Sequence, residues 1–363
     1  MIDLDDATTV DRFDSLGVLA TIERFADQMT QAWELGADVR GLPVADGVEN
    51  VVVLGIGGSG FAGDVLRTLL EARLPVPIAV VKGYAPLPEW VGRNSLVFAV
   101  SYSGNTEETL DAFRAAHDRG ARLVAVASGG ELSAAAATSG CALVSVPGGA
   151  QPRASLGFLA LPLVAVLQTL GLAPDMREDV TEAIEVVDGL TVTARRDVPT
   201  AENPAKQLAR IIAGRAPVFY GGRGIGAAAA YRAKCDVNEY AKQPAFWNEV
   251  PEMNHNEIAG WSTMTGVTQL HMSALFLRDP HEDPRIAARL DATRRLVRPH
   301  VADALEVWAE GDSATARLFH LVTLTQLAAI YAALLNAVDP GPVDAIERLK
   351  RDLIRATERG VTT

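Results

Sequence analysis

Hydrophobic residues along this chain gather in short unbroken runs. Residues 51–54, 78–81, 96–100, 123–126 and 142–146 are built almost entirely of Val, Ile, Leu and Ala. Longer stretches of mixed polarity separate them, among them 61–73 and an Ala-rich stretch that Thr106-Glu107-Glu108-Thr109 opens. A run apolar at every position suits a strand buried on both faces. Helices between such runs predict a parallel sheet covered on both sides. Before the first run, residues 9–35 have a helical pattern and no strand. Residues 176–204 are polar and helical, and the alternation then restarts. A strand at 217–220 leads into Gly221-Gly222-Arg223-Gly224-Ile225-Gly226 and an Ala-rich helix. Strands at 268–277 and 303–308, with a helix at 283–297 between them, and helices at 314–336 and 343–358 complete the pattern. The expected fold is α/β: two similar sandwiches with parallel sheets in tandem, plus terminal helices. The expected boundaries are a helical leader at 1–45, a first domain at 46–175, a helical crossover at 176–203, a second domain at 204–342 and a C-terminal helix at 343–363.

Length and composition agree with this outline. The 363 residues suit two domains, and 48% apolar with 21% charged residues is ordinary for an enzyme-sized core. No run reads as long enough to span a bilayer. The most apolar stretch, 154–172, is interrupted by Gly157, Pro162, Gln168 and Thr169 and reads as a buried helix, so no membrane partner is expected. The acidic start lacks the basic segment of a signal peptide. Cys141 and Cys235 lie far apart and read as free thiols in a reducing cytoplasm. A net charge of −12 with no basic, aromatic-laced stripe argues against a nucleic-acid partner. It does not exclude a small anion held by backbone N–H groups and hydroxyls.

Two loops carry the candidate chemistry. Gly55-Ile56-Gly57-Gly58-Ser59-Gly60 follows the first strand and fits the spacing of a dinucleotide loop. That reading also wants a carboxylate after the second strand, and Lys82-Gly83-Tyr84 has none. Glycines that merely permit a tight turn are the plainer reading, with Ser59 adding a hydroxyl where backbone approaches a ligand. The loop Ser101-Tyr102-Ser103-Gly104-Asn105-Thr106 follows the third strand. Gly104 allows a sharp turn, Thr106 is placed to cap the next helix, and that helix start offers N–H groups to an anion. An ordinary capped loop would look similar, but the carboxyl ends of parallel strands are where open α/β sheets bind ligands.

In these two loops the chain resembles the sugar-isomerase (SIS) domain superfamily. Gln151-Pro152-Arg153-Ala154, the segment from Asn238-Glu239 to Asn254-His255-Asn256, and Asp339-Pro340-Gly341-Pro342-Val343 with Leu349-Lys350 bring it closer to the bifunctional phosphoglucose/phosphomannose isomerases. That resemblance implies a metal-independent aldose–ketose isomerase without a cofactor. It would interconvert glucose 6-phosphate, and mannose 6-phosphate as a second aldose, with fructose 6-phosphate through an enediol. It implies a homodimer with shared sites. Gly57, Gly58, Ser59, Ser101, Ser103 and Thr106 would hold the sugar phosphate, Glu239 would move the proton, Arg153 would stabilise the enediolate, and His255 and Lys350 would open the ring. The motif reads Asp-Pro-Gly-Pro where the family leads one to expect Thr before the second proline, which puts aldose preference in question.

Each residue also has a plainer reading. Glu239 ends a helix that Gln243-Pro244 terminates, where most glutamates are solvated. His255 lies in an irregular polar segment, where the plain reading is a loop histidine satisfied by local hydrogen bonds, although the ordinary pKa of a histidine suits ring opening near neutrality. Lys350 falls on the apolar stripe of Val343, Ile346 and Leu353, so it either snorkels to water or enters a polar pocket. Arg153 starts a helix, the end that the helix dipole reserves for anions, which favours a functional role. No His/Asp cluster has metal-ligand spacing. Rival functions are a non-catalytic sugar-phosphate sensor and an isomerase of another phosphosugar.

Overall fold

The computed structural model describes residues 2–358. The first sheet contains β1 (Asn50–Leu54), β2 (Ile78–Val81), β3 (Ser95–Val100), β4 (Arg122–Ala127) and β5 (Ala142–Ser145), all parallel, in the order β2-β1-β3-β4-β5. Every residue of β1 and β3 is buried, which is why both read as unbroken apolar runs. The chain leaves β1 for one side of the sheet and returns to build the other side from β3. The crevice between the carboxyl ends of β1 and β3 is therefore the point where the strand order reverses, and the glycine loop and the Ser-rich loop flank it.

The second sheet repeats the plan with β6 (Ala216–Gly222), β7 (Phe246–Val250), β8 (Met272–Arg278) and β9 (Asp303–Trp308), parallel, in the order β7-β6-β8-β9. Two features depart from the sequence reading, which has no strand at β7. This is a short edge strand between Pro244 and Pro251 with Phe246 and Trp247 exposed, so it lacks the apolar run of a central strand. The strand expected from residue 268 begins at Met272, because Thr265–His271 is a helix with no buried residue.

The helix Ala314–Leu335 is the spine of the molecule. It packs against the helices Arg177–Ala194, Pro204–Ile212 and Ile225–Asp236. By length and apolarity it would pass for a membrane span, contrary to the sequence reading, but 94% of its apolar window is buried inside the protein. Each fully buried Leu or Phe on it contributes about 1.5–3 kcal/mol by leaving water. The N-terminal leader forms three helices, and the third, Phe25–Ala37, lies on the helix Leu156–Thr169. A Cβ on Gly36 would sit 2.6 Å from Pro162 Cα, so glycine is what allows this approach. From the same helix the Gln28 amide donates to the Ala154 carbonyl (3.0 Å) and accepts from the Gly157 N–H (2.9 Å). The leader thereby fixes the chain directly after Arg153.

Candidate active site

The two loops at the switch point are joined to each other. Ser59, buried in the first turn of the helix Gly58–Leu70, accepts from the Tyr102 N–H at 3.4 Å. Ser101 is fully buried and shares a 2.8 Å hydrogen bond with the Thr106 hydroxyl. This corrects one expectation. Thr106 occupies the N-cap position of the helix Glu107–Asp118, but its hydroxyl turns to Ser101 and no side chain caps that helix. Neither does a side chain cap the helix after Gly57, whose backbone is left-handed (φ 59°). The two helix starts thus face the crevice with uncapped first turns, an arrangement suited to an anion. Glu107 and Glu108 in the first turn of one of them oppose that anion. Ser103 is exposed and accepts from the Asn105 N–H at 3.2 Å. A second pair of loops braces the first: Ser128 donates to the Tyr102 carbonyl, and Asn105 accepts from the Glu131 N–H at 3.0 Å.

Tyr102 carries this loop toward the next part of the site. Its hydroxyl donates to the Pro147 carbonyl (2.9 Å) and accepts from the Ala150 N–H (3.0 Å), which holds the turn that delivers Gln151, Pro152 and Arg153. A Cβ on Gly58 would lie 3.1 Å from the Pro152 carbonyl oxygen and 3.7 Å from Arg153 Cα, so the glycine loop abuts the arginine's backbone. Arg153 is buried. Its guanidinium lies 4.9 Å from the centre of the Tyr240 ring and donates to the carbonyls of Pro340 (3.1 Å) and Gly341. Its other nitrogen stands 3.8 Å from Glu239 Oε2. Arg153 and Glu239, far apart in sequence, are therefore neighbours, and the glycine loop adjoins the backbone of Arg153.

Glu239 sits in a π-turn, Val237–Ala241, that continues the helix Ile225–Asp236. One extra residue in that turn re-aims the side chains after Asp236, a feature that recurs at functional sites. Beneath it lies a buried charge pair that sequence reasoning missed. Arg232 bonds Asp236 at 2.9 Å and donates to the Arg153 carbonyl, and Gln326 donates to that same carbonyl at 3.0 Å. Complete burial raises the Asp236 carboxyl to about 7 against the opposing pull of Arg232. Lys242, also missed, ends the π-turn in a left-handed conformation and donates to the Glu239 and Pro340 carbonyls. No periodicity or motif marks either group, since both act through backbone carbonyls or within a buried helix face.

Two predicted residues lie outside this cluster. Lys350 is exposed on the helix Asp344–Glu358 and bonds Glu347 at 3.2 Å. The apolar stripe exists, but Ile346 and Leu349 are exposed too, and Lys350 keeps its ammonium in water. His255 closes a short 3-10 helix, Glu252–His255, after β7. Its side chain is exposed and forms no hydrogen bond or ion pair among the described residues. A single chain thus brings together Ser59, Ser101, Thr106, Arg153 and Glu239, but not His255 or Lys350. A separate cavity of about 660 Å3, lined by Asp64, Lys82, Arg223, Tyr231 and Trp247, lies between the helices Gly58–Leu70 and Ile225–Asp236 and includes none of the predicted residues. Among the described residues no group of three or more His, Cys, Asp or Glu side chains is placed to hold a metal.

Known families and proteins resemble this chain in sequence and fold. Residues 47–148 match the SIS domain family, and residues 201–353 match the bacterial phospho-glucose isomerase C-terminal SIS domain. The chain is 34% identical over 333 residues to a bifunctional phosphoglucose/phosphomannose isomerase of Caldicellulosiruptor bescii, covering 92% of this chain and 98% of the relative. It is 36% identical over 306 residues to a protein of the same description from Aquifex aeolicus, covering 84% and 90%. A solved structure described as a glucose-6-phosphate isomerase like protein from Thermus thermophilus shares the fold, with a TM-score of 0.61 at 21% identity over 94% of this chain and 99% of that one.

Proposed function

The chain belongs to the bifunctional phosphoglucose/phosphomannose isomerase family, and from that premise we propose how its residues interconvert glucose 6-phosphate and mannose 6-phosphate with fructose 6-phosphate. The observation that carries the reading is the Arg153–Glu239 pair at 3.8 Å, set against the loops at the switch point. The amides of Gly57 and Gly58 and the hydroxyls of Ser59, Ser101, Ser103 and Thr106 hold the phosphate. This anchors one end of the open-chain sugar and leaves C1 and C2 to reach the pair. Glu239 takes the proton from C2 and returns it to C1. Arg153 faces the enediolate oxygen and supplies the positive charge that the intermediate needs, so the step requires no metal.

His255 completes the site from a second copy of the chain. The second domain exposes the apolar side chains Phe246, Trp247, Met264, Val267 and Leu270, which a homodimer contact would cover. The free thiols Cys141 and Cys235 fit a cytoplasmic setting. The test is a coupled assay on EDTA-treated protein with each aldose phosphate in deuterated water. Turnover with deuterium entering the product is the expected result. Inactivity toward both aldoses, or turnover that EDTA treatment abolishes and a divalent metal restores, would refute the proposal.

A further inference from the structure

Lys242 is the residue on which the base and the arginine converge. It ends the π-turn that carries Glu239, with a backbone φ of 55° that side-chain-bearing residues rarely adopt. Its Nζ donates to the carbonyl of Glu239 itself and, at 3.4 Å, to the carbonyl of Pro340. The Pro340 carbonyl also takes a hydrogen bond from Arg153 at 3.1 Å, and the adjacent Gly341 carbonyl takes bonds from Arg153 and from Gln151 (3.0 Å). One turn of chain, Pro340–Gly341, is thus the common support of Arg153 and, through Lys242, of the backbone that bears Glu239. Resting on the isomerase reading above, we propose that Lys242 is a positioning residue for this reaction: its ammonium clamps the backbone of the base to the turn that orients Arg153.

The clamp depends on charge, because a bond from an ammonium to a carbonyl is roughly twice as strong as one from a neutral amine. The groups that face Lys242 set when the charge is present. Lys242 is exposed along its stem, and partial desolvation of its amine, then Arg153, lower its pKa; Glu239, Asp339 and Asp344 raise it; the outcome is about 8. Arg215 and His271 face it across a groove on its other side. The amine is charged below about 8 and loses its charge above it, so the clamp holds at neutral pH and loosens in mild alkali.

The experiment compares the whole enzyme with K242M and K242R. Wild-type kcat should fall on the alkaline side with a midpoint near 8. K242M should lose about 10²-fold in kcat at pH 7, the effect of misplacing a base by about an ångström, with KM changed far less because the phosphate loops are untouched. K242R, always charged, should recover most of that loss and shift the alkaline limb upward. Wild-type kcat in K242M, an arginine variant as slow as K242M, or a limb unmoved in K242R would each overturn the inference. If K242M does not fold, the K242R profile decides. A readout independent of turnover is the side-chain 13C signal of Lys242, assigned by its loss in K242R. It should titrate near 8, together with the alkaline limb of wild-type kcat, and a signal whose midpoint lies apart from that limb would also overturn the inference. An inactive wild type with a normally folded chain refutes the isomerase reading instead.

Discussion

Replacing Gly104 with alanine puts a methyl group where the Ser101–Thr106 loop, proposed to hold the phosphate, has no room for one. Gly104 has φ 71°, and an ideal Cβ there lies 1.8 Å from the Gly129 carbonyl oxygen, 2.8 Å from its carbon and 3.1 Å from Gly130 Cα. All three are backbone atoms, so no rotamer change relieves the contact. The left-handed conformation alone costs a residue with a side chain about 1–2 kcal/mol. Reaching van der Waals distance requires the two loops to part by more than about 1 Å. That movement breaks the bond from the Leu132 N–H to the Gly104 carbonyl (2.9 Å) and strains that from Glu131 to Asn105 (3.0 Å). At about 1 kcal/mol for each hydrogen bond, the total is about 3–4 kcal/mol, all at the phosphate end. Glu239 and Arg153 stand on other elements, so binding suffers more than chemistry. The expected result is a KM for sugar phosphate raised about 10–100-fold, with a smaller loss in kcat and a melting temperature lower by about 5 °C. Steady-state kinetics with a coupled dehydrogenase and a thermal melt measure both. An alanine variant with a KM within about twofold of wild type and an unchanged melt would show that the close approach does not constrain the loop.

Gly341→Ala is the contrasting case. Its Cβ would come within 2.8 Å of Leu16 Cγ, which a rotamer change moves, and 3.0 Å of Leu16 Cβ, which a small backbone shift at this exposed residue relieves, and the backbone at Gly341 is not left-handed. Denaturant unfolding should place the variant within about 1 kcal/mol of wild type, and a loss several times larger would contradict this account. Arg232→Met strands the fully buried Asp236 and frees the Arg153 carbonyl of a donor. It should cost about 3–5 kcal/mol in urea unfolding, and a smaller loss would mean that the pair is not structurally required. Glu239→Gln should lower kcat by about 10³-fold or more while still binding a sugar-phosphate analogue, as calorimetry would show. Mixing that variant with His255→Ala should restore activity in hybrid dimers, one site of which is intact. No recovery on subunit exchange would place His255 in its own chain's site or in none.

The sequence alone determined the sheets and the loops at their ends. Strands buried on both faces must be apolar at every position, so β1 and β3 were legible, with the loops after them. The edge strand β7 escaped, because a strand with one side open keeps exposed residues such as Phe246 and needs no unbroken run. Ser59, Ser101 and Thr106 were legible from residue type beside glycine, but the tertiary structure turned the Thr106 hydroxyl from helix cap to partner of Ser101. Arg153 and Glu239 were singled out by motif, yet only folding sets them 3.8 Å apart, through the spine helix, the π-turn and the Pro340–Gly341 turn. Lys242 had no signal, since its partners are carbonyls, which every residue possesses. The stripe of Lys350 is periodic in sequence and in structure, but periodicity fixes only which residues share a helix face. What that face meets is decided by packing, and Ile346, Leu349 and Lys350 stand exposed on it.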